Sequence, residues 1–188
     1  MKKQVMNFLS MALMALVLFS CDGGSGKKGS GGKSLFTPVS SGHPYEMLVV
    51  IDKDMWERPA GRALFNALDM DVPGLPQPER SFRISQIIPD KFERGFRIFR
   101  NIIDVDIQPI YTQPKLKYSR DSYASPQMIM TIQAPDEASF EEFVNKNKQV
   151  IVDFFTKAEM NRQINLLKEK YSDVVATKVG SMFGCDVR

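Results

Sequence analysis

With 188 residues, 43% of them hydrophobic, and a formal charge of +3, the chain holds one domain of ordinary size and lacks the basic excess of a bulk polyanion binder. Its 13 Phe and 11 Met are enough for a real core. Cys21 and Cys185 are the only cysteines, and Cys21 has another use, so a mature form has no intrachain disulfide and depends on packing alone.

Lys2 and Lys3 give a basic start, and Phe8 to Phe19 form an apolar run of about a dozen residues. That is well short of the ~20 a spanning helix needs, so a cleaved signal is expected rather than a transmembrane anchor. Leu18-Phe19-Ser20-Cys21 has the small-residue-plus-cysteine ending of a lipoprotein signal, although Phe19 is bulky for its place. Residues 1–20 therefore read as the signal peptide and Cys21 as the lipidated residue; an ordinary or uncleaved signal is the alternative. Loss of Lys2 and Lys3 lowers the formal charge from +3 to +1. Each buried methylene contributes about 0.8 kcal/mol, so a multiply acylated terminus is a permanent anchor.

Residues 21–41 read as a Gly/Ser/Lys-rich tether, spanning ~25 Å root-mean-square as a flexible coil. Lys27, Lys28 and Lys33 either keep it soluble or touch anionic headgroups. Gly24-Ser25-Gly26-Lys27-Lys28-Gly29 matches G-x-G-x-x-G, and Lys27 to Ser34 approaches a P-loop. Both motifs need a strand before and a helix after to aim their backbone N–H groups, and neither is present. They read as low-complexity coincidence, and no cofactor is expected.

Residues 42–188 read as a single domain. Tyr45 to Ile51 is a continuous apolar run, a buried strand. Pro59 suits a first helical turn, with Ala63, Leu64, Ala67 and Leu68 facing inward. Pro73, Gly74, Pro76 and Pro78 make Asp71 to Glu79 a stiff exposed loop. Phe82 to Ile87 is a second strand, Phe92, Phe96 and Phe99 recur at helical spacing, and Ile102 to Ile107 is a third strand. Lys115 to Tyr118 with Gln127 to Gln133 supplies one or two more. Asp136 caps a long helix with Phe140, Phe143, Val144, Ile151, Phe154 and Phe155 inside, continuing through Leu166, Leu167 and Tyr171 after an expected bend near Thr156. A last helix, Val174 to Phe183, stops at Gly184, and Cys185 to Arg188 begins like a strand. The order β-α-β-α-β-β-α-α predicts an α+β fold: a small mixed sheet with helices on one face.

The largest charge concentration is Lys91, Arg94, Arg97 and Arg100, which at a spacing of three would share a helix face opposite the phenylalanines. Such a face could grip phosphates of an envelope polymer; a solvated face interleaved with Glu93 is the plainer reading. Nucleic acid is disfavoured for an exported protein without an aromatic-plus-basic platform. The acidic pairs Asp52/Asp54, Asp69/Asp71 and Asp104/Asp106 have the i, i+2 spacing that places two carboxylates on one strand face, ~7 Å apart at Cα. That suits a divalent cation or an acid–base pair, or simply a wet face. His43, the only histidine, lies beside Pro44 outside any periodic element, which leaves no nucleophilic triad and no zinc set.

His43-Pro44-Tyr45-Glu46, Asp71-Val72-Pro73-Gly74-Leu75-Pro76-Gln77, Phe99-Arg100-Asn101-Ile102-Ile103, Ala124-Ser125-Pro126-Gln127, Asn161-Arg162-Gln163 and Phe183-Gly184-Cys185-Asp186 together resemble a family of uncharacterised lipoproteins from the Bacteroidetes, a domain of unknown function. The resemblance implies lineage and an envelope location, carries over no catalytic residue, and implies a C-terminal part missing after Arg188. The expectation is a non-enzymatic binding or accessory lipoprotein whose partners are the membrane, an envelope protein or an anionic envelope polymer. A lone Asp22 after the cysteine favours the periplasmic side of the outer membrane. The alternatives are a metal-assisted hydrolase using Asp52 with Asp104 or Asp106, and a truncated remnant without activity.

Overall fold

β1 (Glu46–Val50) forms the centre of the fold because every residue after Glu46 is apolar, and all of them are buried. The structure, a computed structural model, describes residues 37–170 and 173–184. The expected signal peptide, Cys21, the expected tether with its glycine motifs up to residue 36, and Cys185 to Arg188 lie outside the described residues.

The sheet has the order β2-β1-β3-β5-β4, with β2 (Arg83–Ile87), β3 (Asn101–Ile107), β4 (Lys115–Arg120) and β5 (Met128–Ala134) joining β1. β2, β1, β3 and β5 are parallel, and β4 runs antiparallel along β5 at the edge. Side chains alternate between the two faces. On one face Met47, Val49, Ile103, Met130 and Ile132 meet α2 (Pro59–Leu68) and α4 (Glu137–Glu169) in the main core. On the other, Leu48, Val50, Ile87, Ile102 and Ile129 form a smaller cluster with Phe92 and Phe99. β2 and β3 flank β1 on opposite sides, so right-handed crossovers put α2 and the β2–β3 connection on opposite faces. The α+β architecture, with its two long helices on one face, is the expected one.

Three local features depart from the pattern in the sequence. A short helix, α1 (Lys53–Glu57), follows β1, because the Asp52 carboxylate accepts from Asp54 N–H at 2.9 Å and Met55 N–H at 3.2 Å. α2 starts immediately after it at Pro59, and Gly61 lets the two pack closely: a Cβ there would lie 2.5 Å from Trp56 Cα. α4 runs through Thr156 as one unbroken helix of 33 residues, about 50 Å, with no Pro or Gly within it. No helix among the described residues is long and apolar enough to cross a membrane. The Pro-rich loop is exposed as expected, closed by Val72 N–H to Glu79 O and Ser81 N–H to Met70 O, both 2.8 Å.

Candidate functional site

The β2–β3 connection carries the basic residues, and it is not one helix. Pro89 opens a 3-10 turn (Pro89–Lys91), Glu93 is extended at φ −113°, and only Arg94–Arg97 form a helical turn, α3. Phe92 and Phe99 turn toward the second sheet face while Phe96 stays exposed, so the three phenylalanines do not make a common stripe. The spacing of three was real, but the helix it implied is interrupted where the connection crosses β1.

Lys91, Arg94 and Arg97 nevertheless line one open groove of about 520 Å³, together with Glu93, Gly95 and Phe96. Arg97 is held in place: its Nε donates to Phe92 O at 3.1 Å, and its guanidinium lies 5.5 Å from the Tyr123 ring and 5.8 Å from Phe92. Lys91 and Arg94 are exposed.

Arg100, the fourth member of the series, turns away from this groove. Its Nη2 lies 3.0 Å from Glu159 Oε2, and its Nη1 donates to Gly42 O at 3.5 Å. Glu159 is fully buried, and its Oε1 accepts from Asn101 Nδ2 and Arg162 Nη1, both at 2.6 Å. Arg162 also donates to Asn101 Oδ1 at 2.7 Å and Arg100 O at 3.0 Å. Burial lowers the Arg162 pKa against the pull of Glu159, and the like charge of Arg100 lowers it further. This network pins α4 to the amino end of β3. Arg100 Nε and Glu159 Oε2 have no hydrogen-bond partner among the described residues, so the Arg100–Glu159 contact is an ion pair without good alignment.

The second candidate lies at the other end of the sheet, on the face of Leu48 and Ile102. There Asp104, Asp106, Thr131, Gln133 and Lys117 share one polar surface, because Asp104 pairs with Thr131, Asp106 with Gln133 and Thr131 with Lys117. Asp106 Oδ2 accepts a short hydrogen bond from Tyr111 OH and another from Gln133 Nε2 at 2.7 Å, while Oδ1 accepts from Gln108 Nε2 at 2.7 Å. Burial pushes the Asp106 carboxyl up, but those bonds and the charge of Lys117 outweigh it and hold the pKa below 3.8. Asp104 shifts the opposite way, raised first by burial and then by Asp106. The hydrogen bond to Asp106 raises the Tyr111 pKa. One carboxyl is thus kept ionised while its neighbour is pushed toward protonation, a division that acid–base pairs use. The pair lies at the carboxyl ends of parallel strands, where open sheets bind ligands.

The remaining candidates have structural positions. Asp52 caps α1, and Asp54 donates its own N–H to that cap. Asp69 ends α2 and pairs with Arg80, while Asp71 bridges Arg80 through the backbone. His43 donates its N–H to Glu46 Oε2 at 2.7 Å, which ties the loop before β1. Among the described residues, no three His, Cys, Asp or Glu side chains stand close enough to share a metal ion. Sequence reasoning assigned no site role to Gln133, Asn101 and Glu159, since each acts through a partner far along the chain, nor to Tyr111, which a turn brings back onto Asp106 five residues earlier.

Residues 40–168 match the family described as a domain of unknown function, DUF8532, and the chain belongs to that family. No curated protein and no solved structure matches the chain.

Proposed function

We propose that this member of DUF8532 is a Bacteroidetes lipoprotein, cleaved before Cys21 and held by lipid on the periplasmic side of the outer membrane, whose folded part is a non-enzymatic binding module for an anionic envelope polymer. The observation that carries the binding half is the groove where Lys91, Arg94 and Arg97 converge with only Glu93 opposing them. A small ligand needs a pocket that buries most of its surface. An open groove with separated cations instead suits a chain of repeated phosphates or carboxylates, each contacted weakly and many at once. Arg97, fixed by Phe92 and Tyr123, supplies the preoriented guanidinium, and Arg94 and Lys91 adapt around it.

The test has two readouts. Growth with a labelled fatty acid marks the wild type and leaves Cys21→Ala unmarked; label on the variant removes the anchor reading. The purified protein binds a phosphorylated polysaccharide, and Arg94→Ala with Arg97→Ala weakens it on the order of tenfold, at about 0.7 kcal/mol for each exposed cation. Unchanged binding in the double variant removes the groove.

A further inference from the structure

α4 outruns the sheet. Its buried stripe ends at Arg162, which reaches Asn101 and Arg100 at the amino end of β3. From there α4 continues for about two turns, ~10 Å, and α5 (Asp173–Phe183) follows it in the chain. This part of the chain is unusually apolar for its exposure. Leu166, Leu167, Val174, Val175, Met182 and Phe183 all face solvent, with Leu167 at 68%, Val174 at 78% and Phe183 at 74%. One exposed leucine means nothing, but six large apolar side chains left exposed on two consecutive helix segments are more than scattered single residues and call for a covering surface. Lys168, Lys170 and Lys178 are exposed among them, as is Glu169.

The path of the chain indicates which phase. Val39 bridges Ser125 and Ser41 bridges Phe99, just ahead of β5 and β3, and Arg100 N–H donates to Ser41 O at 3.0 Å. The polypeptide coming from Cys21 therefore joins the domain at the amino end of the sheet, the end past which α4 projects. Fifteen residues, most of them Gly, Ser or Lys, separate Cys21 from Thr37. An anchor on so short a tether keeps this end of the domain close to the bilayer at high effective concentration, so a weak apolar contact suffices to form there.

We propose that the end of α4 together with α5 is a membrane-seating surface, its apolar side chains entering the boundary between headgroups and acyl chains while the lysines meet anionic headgroups. The proposal rests on the lipid-anchor reading of Cys21. The anchor holds the protein on the membrane; the seat fixes how the domain stands, with the carboxyl ends of the parallel strands and Asp106 directed away from the bilayer.

The experiment uses the full lipoprotein in vesicles of zwitterionic and anionic phospholipid whose acyl chains carry a spin label. In a Cys185→Ser background a fluorophore is placed at Leu167→Cys, at Phe183→Cys or, at the opposite end of the sheet, at Lys53→Cys. Flotation with the vesicles reads the anchor, and quenching by the acyl-chain label reads the seat. The expected result is flotation of all three, with loss of fluorescence at positions 167 and 183 and none at 53. Flotation without quenching at 167 and 183 overturns the seat and leaves the anchor intact. Failure to float overturns the anchor, and the seat falls with it. A fluorophore at 167 that is already shielded without lipid, in a protein sedimenting as a dimer, makes a second copy the occupant and also overturns the seat.

Discussion

Replacing Glu159 by Ala tests whether the buried ion network holds α4 to the sheet. The carboxylate is fully buried and serves Asn101, Arg162 and Arg100 at 2.6, 2.6 and 3.0 Å. Asn101 Nδ2 keeps Glu46 O at 3.0 Å, so it is not stranded. The two guanidinium groups are another matter: Arg162 and Arg100 side chains are only 8% and 13% exposed and would lose their sole buried counter-charge among the described residues. Removing one partner of a buried ion pair costs about 3–5 kcal/mol, a large share of the ~5–15 kcal/mol that holds a domain folded. Glu159→Gln keeps an acceptor of the same shape and should lose about 2 kcal/mol, the worth of a hydrogen bond to a charged group. The assay is urea unfolding followed by the fluorescence of Trp56, the only tryptophan, which packs edge-on against Phe65 at 5.8 Å. A midpoint for Glu159→Ala within ~1 kcal/mol of wild type, at an unchanged slope, would refute the reasoning.

Two further predictions use the same measurement. Gly61→Ala improves helix propensity by about 1 kcal/mol, yet its Cβ would stand 2.5 Å from Trp56 Cα, where backbone cannot yield cheaply. The clash should win, with a net loss of about 1–3 kcal/mol, and a variant as stable as wild type would show that α1 moves freely. Asp104 has its folded pKa raised above 3.8, so its favourable contribution is complete below that value and is lost as pH rises through the folded value. Asp104→Asn should therefore stabilise the protein at neutral pH and lose that gain in acid; an equal gain at both ends of the pH range would contradict the burial that causes the shift.

The sheet was legible because its strands are short apolar runs bounded by turn residues. Tyr45 to Ile51 and Ile102 to Ile107 read correctly for that reason, and so did the inward stripe of α4 from Phe140 to Phe155. Other elements hid in plain chemistry. Asp52 reads as a possible site acid, yet its first use is to start a helix, and α1 was missed with it. The three-residue spacing from Lys91 to Arg100 suggested a helix that extended backbone at Glu93 interrupts. The Arg100–Asn101–Glu159–Arg162 network was not legible, because its members lie about sixty positions apart and periodicity carries no information at that range. Arg100, Asn101 and Arg162 do fall in the stretches that carried the family resemblance, and the structure shows two of those stretches in contact. Gln133 escaped for the same physical reason, since it meets Asp106 only when β5 lies beside β3, whereas Tyr111 escaped because an irregular turn, and no periodic spacing, returns it to Asp106.

The most direct test of the central reading is the map of backbone amide chemical shifts as a phosphorylated polysaccharide is titrated into the protein. The account predicts saturable changes centred on Lys91 to Arg97 and on Tyr123, which stacks with Arg97, absent in the Arg94→Ala, Arg97→Ala double variant. Changes centred instead on Lys115 and Lys117 beside Asp106, or no saturable change anywhere, would contradict it.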